Sequence, residues 1–437
     1  MRVFVFSFLA YLVTWGGHYT TGDGAHKIAW AKAMLSGHPA LSQVNPDIPY
    51  SKYGVGHSVI AMAPLAASFL VHRYTGIRCE AALYTLLFVA NGALLVSLIA
   101  FYLAHFYDGR RAILTAGLIG FATIWWPYTK LDFSEAFVTT IFFCGFVLMR
   151  FGAPVLGMGV AAAVLTIRTD AAILIVLLAI WFLVQQPRIR VFVKLGLAVV
   201  PSIAVVAAAN YARYHSFGDK GYAGESFSTP LLIGLYGILF SAGKSIFLFS
   251  PPLIAGLLGW RRFRSGSATR LDAGLFLAVF IAELLVYSMW WDWSGDDDWG
   301  VRFLIPGVVL MCIPIAGIME RKILIGTVAA AGVLIQALPV MVGPITYLLL
   351  LRAQPAYRQA LYMTGRNRVD FEDIRFSPSY NQIAGSWILL RCLLHIPPDS
   401  RPTPVSETDG TSLYDSLPVN AWQDAAHWDF VWAARRE

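Results

Sequence analysis

Eleven apolar runs follow one another along the first 345 residues of this 437-residue chain, and they leave it few ways to fold. They lie near 3–17, 80–104, 112–127, 136–149, 154–167, 171–185, 191–212, 246–260, 273–291, 303–318 and 323–345. A helix perpendicular to a bilayer needs roughly 20 apolar residues, and in lipid a segment must satisfy its own backbone donors and acceptors. The predicted fold class is therefore an all-α polytopic membrane protein with about 11 transmembrane helices. Composition agrees. Hydrophobic residues make up 57% of the chain and charged residues 14%, where a soluble domain carries about 25% charged residues. That excludes an ordinary soluble enzyme, a disordered chain and a disulfide scaffold. Cys79, Cys144, Cys312 and Cys392 form no CxxC or Cys/His metal spacing. The net charge of +7 does not point to nucleic acid, because surplus Lys and Arg in such chains collect in cytoplasmic loops.

The run Val3–Gly17 reads as the first span and not as a signal peptide, since Trp15, His18 and Tyr19 stand where a small-residue cleavage site belongs. One further segment, 58–72, contains Pro64 and decides the topology. If it lies in the membrane interface, the short loops on the Arg2 side hold 12 basic residues: Arg110, Arg111, Arg150, Arg188, Arg190, Lys194, Arg261, Arg262, Arg264, Arg270, Arg321 and Lys322. The opposite short loops hold only Lys130, Arg168 and Arg302. The positive-inside rule then places the N-terminus in the cytoplasm and the C-terminus outside, with 58–72 interfacial. Residues 1–350 form the membrane domain and 351–437 a small external region resting on the membrane.

The outer side collects the chemistry-bearing residues. The first outer loop, 18–57, opens TTGDGAHK, where Asp23 can cap a helix from about Gly24 to Ser36, with Gly37 as its stop. The loop returns through PYSKYGVGHS, bringing Lys52, Tyr53 and His57 beside glycines at the point of re-entry. A lysine beside flexible backbone at headgroup level suits a phosphate, and it suits snorkelling as well. In WWPYTKLDFSEAF, Asp132 and Glu135 share one face if a helix starts there, or form a capping-box-like pair. Arg168 and Asp170 sit in a very short turn at membrane depth, paired or functional. The segment WWDWSGDDDWGVRFLIP lacks the spacing of a calcium loop. Its Arg302 and the Lys244 of SAGKSIFLFSPP can each meet a phosphate. Glu283 lies within a span.

A surface helix opened by Gly-Asp after the first span, a Lys-Tyr-Gly re-entry, the Ser-Glu of the second outer loop, GKSIFLFSPP and W-G-x-R-F-L-I-P occur in that order. As a set over roughly residues 1–320 they resemble the GT-C superfamily of membrane glycosyltransferases. The likeness is to bacterial relatives of protein O-mannosyltransferases and of lipid A aminoarabinose transferase. The resemblance implies a polyprenyl-phosphate sugar donor, work on the outer face of the bacterial cytoplasmic membrane, and Asp23 as catalytic base. It implies that Lys52 and Arg302 contact the donor phosphate and that Asp132 or Glu135 lines the acceptor side. Lys244 and Arg168 join as phosphate candidates, Tyr53 and His57 as substrate contacts. The chain departs from the pattern in having Gly-Asp-Gly for the acidic pair of many members, and Tyr53-Gly54 where close relatives often carry prolines.

On this reading a carboxylate deprotonates an acceptor hydroxyl while fixed cations stabilise the departing phosphate. Direct displacement inverts the anomeric centre. The acceptor is a glycan, a lipid or a protein; no cofactor is required by the residues, and a divalent cation is compatible with the acidic loops. A flippase or other carrier of a lipid-linked solute is the alternative that Glu283, Asn91 and Asn210 support. An O-antigen polymerase- or ligase-like enzyme would depend on basic residues of a large outer loop instead.

Overall fold

The structure is a computed structural model of the chain and describes residues 1–38, 50–218, 221–222, 225–295, 298–352, 374–376, 378, 381–396 and 419–433. Asp296, Asp297, part of the first outer loop (39–49) and much of the C-terminal region (353–373, 397–418 and 434–437) lie outside the described residues. Every regular element among the described residues is helical. The apolar runs become α1 (Arg2–Val13), α4 (Glu80–Ala104), α5 (Gly109–Ala122), α6 (Ser134–Arg150), α7 (Pro154–Ala162) with α8 (Val164–Ile167), and α9 (Ala172–Gln185). They continue as α10 (Ile189–Tyr214), α12 (Ile246–Phe249) with α13 (Pro252–Ser265), α14 (Arg270–Ser288), α15 (Ile305–Cys312) flanked by 3-10 turns, and α16 (Lys322–Val342). Among the described residues, five helices are long and apolar enough to cross a membrane: Val55–Thr75, α4, α10, α14 and α16.

The bundle is built around α4 and α6. α1, α5 and α6 pack on α4, while α7 packs on α6 and α10 on α7. At the end remote from the site, the buried Asp272 accepts from Tyr102 (2.7 Å), Arg150 (3.0 Å) and Trp181 (3.2 Å), tying α4, α6 and α9 to α14. Buried charge is tolerated when its lone pairs are met in this way. Glu283 serves a similar local purpose, accepting the Gly307 amide at 2.8 Å and locking α14 to α15.

The segment between α1 and α4 folds as α2 (Gly22–Leu35) and α3 (Val55–Thr75). Residues 58–72 are thus the middle of a 21-residue helix, about 31 Å long at 1.5 Å per residue. His57 at its start bonds the Tyr84 hydroxyl, 2.9 Å away, one turn into α4. Its other end is joined to the start of α4 by the short link 76–79. Both ends of α3 are therefore held near one end of α4, and α3 cannot run alongside it to the far end. His57, Ser58, Ala61, Pro64, Leu65 and Ser68 form its buried face, whereas Val59, Phe69 and Leu70 are at least half exposed. One face of α3 is thus packed against the protein, and its other, apolar face is left exposed.

Four helices among the described residues had not been placed from the sequence. α11 (Leu231–Phe240) is an apolar helix inside the loop 212–245. The C-terminal region contributes α17 (Thr346–Arg352), α18 (Gln382–Leu393) and α19 (Val419–Ala425). α18 packs on α16 and α17. The extended stretch after α19 is stitched to the first span by Val431 N–H to Trp15 O (2.8 Å) and Trp432 Nε1 to Val13 O (2.7 Å).

Candidate functional site

The site begins with the cap of α2. Thr21, and not Asp23, is the capping residue: its side chain accepts the Gly24 amide at 2.9 Å from an extended backbone. A threonine hydroxyl satisfies one of the orphan amides of the first turn, which leaves the Asp23 carboxylate free to point elsewhere. It meets Tyr53 through Oδ1 and Arg302 Nη1 through Oδ2 at 3.0 Å. Lys27, four residues on and so on the same helix face, is fully buried, with its ammonium 5.0 Å from the centre of the Tyr53 ring and 3.5 Å from the Asp132 carbonyl.

Asp23 lines a cavity of about 470 Å³ together with Lys52, Tyr53, Glu135, Arg168, Asp170, Arg213, Tyr222, Glu225, Tyr287 and Arg302. Each side chain is fixed by a partner from a distant segment. Arg168 forms a bidentate pair with Asp170 (3.1 and 2.6 Å) and also bonds Glu135. Tyr287 donates to Asp170 at 2.8 Å. Arg302 lies 2.6 Å from Asp298 and 3.7 Å from Glu135, with its guanidinium 4.2 Å from the Phe133 ring centre. Lys52 reaches Glu225 at 2.5 Å and sits 5.2 Å above Tyr222. Arg213, at the end of α10, donates to the carbonyls of Ser51 and of Tyr53 (2.9 Å) and stacks on Trp30, which pins the re-entry of the first loop.

The electrostatics follow from this crowding. Burial alone pushes the Asp23 carboxyl up, but Arg302, Lys27 and the Tyr53 hydroxyl together hold it well below the usual carboxylate range. Lys27 is pulled down, because its burial outweighs Asp23, Glu135 and Asp132. Burial and the adjacent Asp23 raise Tyr53, so it stays a neutral donor. Asp170 is depressed: Arg168 and Tyr287 overcome its burial.

The sequence candidates separate into two groups. Asp23, Lys52, Tyr53, Glu135, Arg168 and Arg302 line one cavity. Asp132, His57 and Lys244 do not line it, and each has a different position. Asp132 neither caps α6, whose N-cap is Phe133, nor shares a helical face with Glu135. It is fully buried behind α2, accepts from Thr20 at 2.8 Å, and is raised by its burial. His57 is buried between Tyr84 and Ser134 (3.2 Å). Lys244 is buried with its ammonium on the carbonyls of Asp298 (2.6 Å) and Gly300 (3.0 Å), so it shapes the loop that carries Arg302. Sequence reading missed Lys27, Arg213 and Glu225. Lys27 had a signal, its i,i+4 spacing from Asp23; the other two had none, since their partners lie in remote segments. Among the described residues no group of three or more His, Cys, Asp or Glu is arranged to hold a metal ion.

No family model matches the chain, and no curated protein does. Two solved structures do, both ArnT from Cupriavidus metallidurans. The one bound to undecaprenyl phosphate is 14% identical, covers 97% of this chain and 84% of its own, and superposes with a TM-score of 0.51. The apo form is 14% identical, covers 99% and 86%, and gives a TM-score of 0.49. ArnT is a GT-C enzyme, and the chain has the GT-C membrane fold.

Proposed function

We propose that the protein is a glycosyltransferase that moves a sugar from a polyprenyl-phosphate donor to an acceptor hydroxyl, with inversion, on the outer face of the bacterial cytoplasmic membrane. The observation that carries this reading is the shared cavity, in which one carboxylate on the first surface helix faces Lys52, Arg168 and Arg302. The fold match to an ArnT bound to undecaprenyl phosphate supports the donor class. The acceptor hydroxyl gives its proton to Asp23 as its oxygen bonds the anomeric carbon, and the anomeric carbon–phosphate oxygen bond breaks with its electron pair leaving on the phosphate. A positioned base contributes about 10²–10⁴-fold. The cations act on the charge that develops on the phosphate, where exclusion of water strengthens them.

Arg302 has two claims on it. It bonds Asp23 at 3.0 Å, and a donor phosphate is a stronger bidentate partner for a guanidinium than one carboxylate oxygen. When the phosphate takes Arg302, Asp23 loses a donor and a charge that depress it, and its basicity rises at the moment it is needed. The interfacial reading of α3 belongs to the same proposal. It is supported by the His57–Tyr84 contact, which keeps α3 at one end of α4.

Asp23→Asn tests the assignment. Purified protein is given a panel of polyprenyl-phosphate sugars and acceptors, and free polyprenyl phosphate is read by mass spectrometry. Release is expected to fall by about 10²–10⁴-fold while undecaprenyl phosphate binding is kept. Undiminished release would remove Asp23 from the mechanism. A product with retained anomeric configuration would overturn direct displacement.

A further inference from the structure

Asp23 lines two cavities, and it is the residue they share among the described ones. The second, of about 420 Å³, lies between the start of α2 and the C-terminal region; His18, Tyr19, Thr346, Leu348, His427 and Asp429 are among the residues that surround it. We propose that this second cavity is the acceptor site and that it takes a neutral, hydroxyl-rich group such as an unphosphorylated sugar. The proposal rests on the glycosyltransferase reading above, and it adds where the acceptor enters and what chemistry it carries.

Two features support it. The first is position. Direct displacement needs the acceptor oxygen and the leaving phosphate on opposite sides of the anomeric carbon. A base on the wall between two cavities can reach a hydroxyl in one while the phosphate lies against the cations of the other. The second is charge. Lys52, Arg168, Arg213 and Arg302 all line the first cavity, whereas no Lys or Arg is among the described residues lining the second. Its carboxylates, Asp23, Asp298 and Asp429, are balanced from outside the lining, Asp298 by Arg302 (2.6 Å) and Asp429 by Lys130 (2.7 Å). Inside stand acceptors for sugar hydroxyls, the hydroxyls of Tyr19 and Thr346, and the apolar Leu348. A phosphate would meet carboxylates with only His18 and His427 to oppose them. The volume is that of a small-ligand site.

The test is equilibrium binding to the purified full-length protein. The probes are methyl β-D-galactopyranoside, methyl α-D-mannopyranoside, their phosphorylated counterparts and undecaprenyl phosphate. Thr346→Trp fills the second cavity. Leu349→Trp, at a cavity-lining side chain that is 55% exposed, narrows it without entering the core. At least one neutral glycoside is expected to bind the wild type and to lose about tenfold or more in affinity in both variants, with undecaprenyl phosphate binding unchanged. Lys52→Ala is expected to weaken undecaprenyl phosphate and leave the glycoside alone. The proposal is overturned if neither Trp variant changes glycoside binding, if undecaprenyl phosphate competes with the glycoside, if only phosphorylated glycosides bind, or if no glycoside binds. Undecaprenyl phosphate that fails to bind the wild type would instead sink the donor reading, a result separate from any glycoside binding lost in the Trp variants.

Discussion

Asp23 carries two donors, Tyr53 and Arg302, that a base must in part shed before it can take a proton. Its carboxyl is held far down by Arg302, Lys27 and Tyr53 against the effect of its burial, so it is ionised but weakly basic. The pH dependence of kcat/KM reports the free enzyme and that of kcat the substrate complex. If the donor phosphate draws Arg302 away, the acidic limb of kcat is expected at higher pH than the acidic limb of kcat/KM. Coincident limbs would mean that Arg302 stays on Asp23 throughout turnover. Glu135, Arg168 and Arg302 were legible in the sequence because each is a charge near the edge of an apolar run, where charge needs a reason, whereas Asp23 and Lys52 stood out by the Gly-Asp that opens the loop helix and the glycine-flanked re-entry. What each one touches was not legible. Lys244 has the same local signature as Lys52, yet it is spent on two backbone carbonyls. Glu225 and Arg213 meet the re-entry segment from more than 150 positions away.

At the scale of elements, α2 is set by a contact at a glycine. A methyl at Gly24 would lie 1.7 Å from Asp132 Oδ2, so the helix can back onto the second outer loop only because the side chain is absent. The Gly after Asp23, a departure from the acidic pair of many GT-C proteins, thus leaves room for a carboxylate from another segment. Gly24→Ala is expected to destabilise the protein by about 1–3 kcal/mol through overpacking, despite alanine's better helix propensity. Combining it with Asp132→Ala, which vacates the space, should cost less than the sum of the two; thermal unfolding of the four proteins reads the coupling. An additive pair would show that the two residues do not meet. The helices themselves were legible as apolar runs. Their breaks were not: the run 246–260 reads as one segment, yet it is split at Ser250, where Pro251 and Pro252 separate α12 from α13. α3 was harder. By length and composition a 21-residue apolar helix can span or lie on the surface, and only the count of basic residues in the later loops argued for the interface. α11 was passed over because its 10 residues are too few to span, and spanning was the signal being sought.

On the scale of the molecule, the proposed orientation makes Cys79, in the α3–α4 link, an outer residue. In intact cells carrying the Cys392→Ser variant, a membrane-impermeant maleimide is expected to label Cys79; protection until the cells are opened would make α3 a span and reverse the sidedness of every later loop. The C-terminal region belongs to the same face, because Asp429 is locked between His18 (2.6 Å) and Lys130 (2.7 Å) of the first two outer loops. Its bond to Asp429 raises His18, against its burial, while His18 and Lys130 hold Asp429 below its ordinary value, again against burial. A raised histidine stabilises fully below its unfolded value, about 6.5, and that contribution is lost as pH climbs through the folded value. A depressed carboxylate stabilises above its unfolded value, about 3.9, and fails as pH falls through the folded one. Docking of the tail should therefore be tightest from about pH 4 to about 6.5 and loosen above the raised value of His18, with Lys130 retaining part of it. Limited proteolysis of the full chain between about pH 6 and pH 9, corrected for the protease's own profile on an unfolded substrate, reads this directly. The tail is expected to be cut faster as pH rises, and His18→Asn should flatten the dependence. Lys130→Ala should loosen the tail most above the raised value of His18, where Asp429, only 2% exposed, is left without a counter-charge, and less at low pH, where protonated His18 still pairs with it. A tail whose cleavage ignores both pH and Lys130 would be held by the Val431 and Trp432 contacts alone.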